Sequence, residues 1–83
     1  ERNIGAVVVQ LSRTFNTAIR PLGAPHRPKK GPANAAYAFQ TEFAYAINEL
    51  TAGPAATAQR YIAECNDIID RAMQYVASLP DRK

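Results

Sequence analysis

The residues able to do chemistry are few and far apart. His26 is the only imidazole and Cys65 the only thiol. A zinc site needs three or four converging ligands at short spacing, and one His and one Cys on separate elements do not supply them. Cys65 falls among Ile62 and Ile69, where a cysteine acts as a small buried hydrophobe rather than a nucleophile. Covalent catalysis also requires a base and an orienting group within reach of the nucleophile, and the pattern offers neither. Glu64, Asp67 and Asp70 are interleaved with Arg60 and Arg71, the pattern of a solvated charged face. Glu42 and Glu49 are seven apart, with nothing nearby to raise either pKa for acid–base work. Glycines 5, 23, 31 and 53 are too scattered for a phosphate-cradling loop. The sequence therefore assigns no catalytic, cofactor-binding or metal-binding residue. The chain reads as a non-enzyme, or as a helical part of a larger enzyme whose active site lies elsewhere.

The basic residues are more distinctive. Through Asn34 the charge is +5, from Arg2, Arg13, Arg20, Arg27, Lys29 and Lys30 against Glu1; from Ala35 onward it is −2. Most of the positive charge lies in the stretch from Pro21 to Pro32, PLGAPHRPKKGP, with Arg20 at its edge. Four prolines and two glycines fix this stretch as an extended loop without apolar periodicity. Arg20, Arg27, Lys29 and Lys30 are the candidates for holding phosphates of nucleic acid or of an anionic surface. Pro25-His26-Arg27-Pro28-Lys29 also fits a minimal SH3-type ligand pattern. No aromatic residue accompanies the loop, so it lacks the stacking platforms of single-strand binders. A solvated linker kept soluble by its charge is the plainer reading.

The elements that would position these groups are helical. At 47% hydrophobic and 20% charged residues the composition is globular rather than disordered. An 83-residue chain fits one domain, residues 1–83. Ile4, Val8, Leu11, Phe15, Ala18 and Leu22 recur at 4-3 spacing, predicting a helix over about residues 3–20. Val7-Val8-Val9 admits a strand as the alternative there. Pro21 ends the first helix, and the loop takes residues 21–33. Asn34 is the expected N-cap of a second helix over about 34–51, whose face is Ala36, Phe39, Phe43, Ala46 and Leu50 with Ile47 beside it. Gly53-Pro54 stops it. A third helix over about 54–79 carries Ala58, Ile62, Cys65, Ile69, Ala72, Val76 and Leu79 in unbroken heptad spacing, before a polar tail at 80–83. The fold class predicted is all-α, a three-helix arrangement. Helices 2 and 3 form an antiparallel hairpin, and a long Pro-rich basic loop precedes them.

An apolar surplus remains after these faces are drawn. Tyr37 and Tyr45 fall well off the Phe39/Phe43/Leu50 face, and Tyr61, Ile68 and Tyr75 form a second stripe on the third helix. In a three-helix bundle each helix meets two neighbours, which accounts for the second stripe. Tyr37 and Tyr45 instead read as a contact surface for another protein chain, of the same or a different kind. The leading expectation is a soluble helical interaction module or small accessory subunit that docks through Tyr37, Tyr45, Tyr61, Ile68 and Tyr75. The alternative is a nucleic-acid or anionic-surface binder using the basic loop. No apolar run is long enough to span a bilayer. The single cysteine leans toward a reducing, cytoplasmic setting.

Overall fold

Three α-helices carry the fold, in a computed structural model that describes residues 3–23 and 31–80. Helix α1 spans Ile4–Ile19, α2 spans Pro32–Ala52 and α3 spans Ala58–Ala77. Short 3₁₀ turns follow α1 at Arg20–Leu22 and precede α3 at Ala55–Thr57. The described residues contain no strand, so Val7-Val8-Val9 is helical: the 4-3 repeat that continues through Leu11 and Phe15 outweighs the local β propensity.

Each boundary has a local cause. Asn3 caps α1, its side-chain oxygen accepting from the Ala6 N–H at 3.2 Å. Pro21 enters a tighter 3₁₀ turn that ends on Gly23, at φ 96°. Helix α2 begins at Pro32, ahead of the expected cap at Asn34. Gly31 takes φ 86°, which a Cβ would oppose, and Pro32 brings the helical φ ready-made to the first turn. At the far end the Gly53 N–H donates to the Glu49 carbonyl at 2.9 Å. A Cβ at Gly53 would sit 2.5 Å from that same oxygen, so the close turn requires glycine. Pro54 then leads into a 3₁₀ turn where a continuous third helix was expected.

The core lies where the three apolar faces meet. It contains Leu11, Phe15, Ile19 and Leu22 from the first segment, Ala36, Phe43, Ala46 and Leu50 from α2, and Cys65, Ile68, Ile69 and Ala72 from α3. Phe15 and Phe43 stack flat, ring centroids 4.1 Å apart and planes 3° from parallel. The alanines let the helices approach closely but bury little area each. Contact is most extensive between α2 and α3, which are joined by the shortest link. Along that seam Phe39 meets Tyr75 edge-on at 6.1 Å and Glu42 meets Arg71, so residue number falls along α2 as it rises along α3, the order of a hairpin. The molecule measures 47 × 21 × 16 Å and its radius of gyration is 13.7 Å. That exceeds the about 11.8 Å of an ordinary domain of this length. Its accessible surface, 5852 Å², likewise exceeds the about 4,900 Å² usual for a monomer of this mass.

Candidate functional site: the α2–α3 face

The heptad seam of α3 is one residue wider than its spacing implies. Ile68, named as a docking residue but also read with Tyr61 and Tyr75 as a stripe facing a second neighbour, is only 3% exposed and belongs to the core. A helix packed against two neighbours buries a broader arc than one coiled-coil seam, and Ile68 fills the α2 side of that arc. Ile62 is half-buried in its place. Tyr75 is half-buried against Phe39, and Tyr61 is half-buried with the Arg60 guanidinium 5.3 Å from its ring centre. The stripe therefore serves mainly to seat α3 on α2.

The two tyrosines of α2 part company. Tyr37 is half-buried rather than set opposite the core. Tyr45 is 60% exposed, and it stands at the rim of a groove of about 690 Å³ between α2 and α3. Ile68 and Ala63 supply the groove's apolar part; Glu42, Glu64, Asp67 and Arg71 supply its charged rim. Phe43, two residues before Tyr45, is 6% exposed. The difference is phase alone, since two residues turn a helix by about 200°.

One cation organises this rim. The Arg71 Nη2 donates to Glu42 Oε1 across the helix pair at 2.7 Å, and its Nε donates to Asp67 Oδ2 at 3.0 Å. The Glu42 bond, and then the Asp67 bond, hold the Arg71 proton more tightly than usual. Asp67–Arg71 is the i,i+4 pair read from spacing, while Arg60–Glu64 is at the outer limit of an ion pair, 4.0 Å. Glu42 carried no partner in the sequence, because its partner lies 29 residues away. Glu49, one turn beyond Tyr45, raises that phenol's pKa above its usual value, and Tyr61 adds to the effect.

Cys65 is fully buried, and burial pushes its thiol up to about 11, with Glu64 contributing. The thiolate that a nucleophile or metal ligand needs is thereby disfavoured. Among the described residues no group of three or more His, Cys, Asp and Glu side chains is placed to hold a metal ion. No helix among them is long and apolar enough to cross a membrane. Of the anion-binding candidates, Arg20 is exposed in the 3₁₀ turn after α1. Arg27, Lys29 and Lys30 lie outside the described residues, as does His26. The body that is described carries four bases, Arg13, Arg20, Arg60 and Arg71, against five acids, Glu42, Glu49, Glu64, Asp67 and Asp70. The chain's positive excess thus resides in the remaining residues.

No protein-family model, curated protein or solved structure matches this chain at a significant level.

Proposed function

We propose that the chain is a non-enzymatic helical interaction module, or small accessory subunit, that docks on another protein chain through the α2–α3 face centred on Tyr45. The observation that carries this reading is Tyr45 itself, a large aromatic left 60% exposed at the rim of a groove with apolar and charged lining. Tyrosine is favoured in such positions because its ring contributes apolar contact area while its hydroxyl tolerates water. The thin, alanine-rich core and the large accessible surface fit a chain stabilised by a partner. Replacing Tyr45 with Ser is expected to weaken association in sedimentation while circular dichroism stays unchanged. A wild type that sediments as a monomer with nothing co-purifying defeats the reading.

A second reading rests on the segregation of charge: a binder of nucleic acid or an anionic surface through Arg20, Arg27, Lys29 and Lys30. Its affinity would fall steeply with salt, because each neutralised phosphate releases counterions. The apolar part of docking through Tyr45 would respond far less, and only the charged rim of its groove would add a salt dependence.

A further inference from the structure

Helix α1 contains no acid and α2 contains no base. Val9, Arg13 and Arg20 are all exposed, and at about 100° per residue they fall within an arc of about 40°. Leu11, Phe15 and Ile19 project on the other side of the same helix into the core. The outward stripe is therefore basic with one apolar member, Val9, which is 50% exposed. On α2, Glu42, Tyr45 and Glu49 fall within an arc of about 60°, on the side of α3 and away from α1.

The two stripes match in sign and in spacing. Arg13 and Arg20 are seven residues apart, and so are Glu42 and Glu49. Seven residues span about 10.5 Å of helix axis, so Arg13 and Arg20 come opposite Glu42 and Glu49 together; Glu42 also bonds Arg71, but Glu64 and Asp67 keep that rim net acidic. Each stripe also places one exposed apolar side chain, Val9 or Tyr45, beside its charges. The complement of the Tyr45 face is thus found on this chain, but on a surface that the same copy cannot fold onto that face.

Building on the docking reading above, we infer that the Tyr45 face receives a second copy of this chain, whose Val9–Arg13–Arg20 stripe lies along Glu42, Tyr45 and Glu49. The contact is heterologous: each copy that offers its α1 stripe still has its α2 stripe free, so copies add head to tail instead of stopping at a symmetric pair. Because the charges are exposed, the association is sensitive to salt.

Charge reversal tests this in the intact chain by sedimentation at low and high salt, with circular dichroism on every variant. The wild-type mass is expected to climb with concentration past twice the 9.1 kDa of one chain at low salt, and to fall back at high salt. One variant combines Arg13→Glu with Arg20→Glu; the other combines Glu42→Gln with Glu49→Arg. Each should remain monomeric alone, and an equimolar mixture should regain association, because the intact α1 stripe of the second variant then meets the intact α2 stripe of the first. Should either variant lose helicity, Arg13→Gln with Arg20→Gln replaces it and should lose association without it. A wild type that is monomeric throughout, an arginine variant that associates like wild type, or a mixture that stays monomeric overturns the inference. A monomeric wild type that binds a different protein through Tyr45 overturns it while leaving the docking reading intact.

Discussion

Phe43 and Tyr45 sit two residues apart on α2 and have opposite fates. Phe43 lies flat against Phe15 in the core, whereas Tyr45 stands open on the α3 side of the helix. Both are aromatic, and although the Tyr45 hydroxyl tolerates water better than a phenyl ring, residue type alone does not separate them, since Tyr37, Tyr61 and Tyr75 are half-buried. Helix phase does, and the neighbours each phase selects complete the contrast. Beside Phe43 lie Ala36, Ala46 and Leu50; beside Tyr45 lie Glu42 and Glu49. One face of α2 is bound for the interior of this chain, and the other leaves Tyr45 60% exposed between two acids.

The largest expected effect comes from erasing the buried half of that contrast. Phe43→Ala removes one ring of the Phe15 stack and leaves a cavity between α1 and α2. Truncations of this kind cost about 3–5 kcal/mol. In a domain this small that is a large share of total stability, so thermal unfolding followed by circular dichroism should show either a collapse of the midpoint or no folded baseline. A loss below about 1 kcal/mol would mean that the stack is not what holds α1 to α2.

Cys65 sharpens the same division by titration. Its folded pKa, about 11, lies above the ordinary 9.0. The folded state therefore holds the thiol proton more tightly than the unfolded chain does. The resulting stability is fully present below pH 9 and is lost as pH rises toward about 11. Chemical denaturation across that window should show a decline that Cys65→Ala lacks. At neutral pH a thiol reagent should react only as fast as the chain opens; rapid native-state labelling would contradict the burial of Cys65.

Arg71 tests the charged rim. It bridges Glu42 and Asp67, but all three side chains are largely exposed. Exposed ion pairs contribute about 0–1 kcal/mol, so Arg71→Gln should cost no more than that and should cost less at high salt. A larger, salt-independent loss would show that the guanidinium stem is packed into the α2–α3 seam.

Much of this architecture is legible in the residue pattern, and the exceptions share a cause. The faces of all three helices follow from 4-3 spacing, because burial repeats with the helix period. The break at Gly53-Pro54 follows from backbone chemistry. What periodicity misses is set by the third dimension. Ile68 lies off the heptad seam of α3, and only the second neighbour that a three-helix bundle gives each helix accounts for its place in the core. Glu42 finds Arg71 across a hairpin, and i,i+4 reasoning sees only partners on the same helix. Helix α2 starts at Pro32 with Gly31, at positive φ, as its N-cap, so Asn34 lies inside the first turn and its side-chain cap is not used. Of the docking candidates, Tyr45 is legible as a surplus aromatic. Tyr37 shares its surplus in the sequence but is half-buried.

That divergence gives the smallest and most discriminating pair of measurements. A fully buried large apolar side chain is worth about 1.5–3 kcal/mol relative to exposure, and Tyr37 is only half-buried, so Tyr37→Ser should cost on the order of 1 kcal/mol. Tyr45 has little burial to lose within this chain, and a surface change away from special features stays within about 0.5 kcal/mol. Tyr45→Ser should therefore leave the denaturation midpoint nearly unmoved in dilute protein. If Tyr45 covers a contact between chains, the two variants should exchange rank when the protein is concentrated or its partner is present: Tyr45→Ser then loses the concentration-dependent part of its stability, and Tyr37→Ser keeps it. Equal losses for both variants at every concentration would place both side chains in the same intramolecular role and remove the distinction between the two faces of α2.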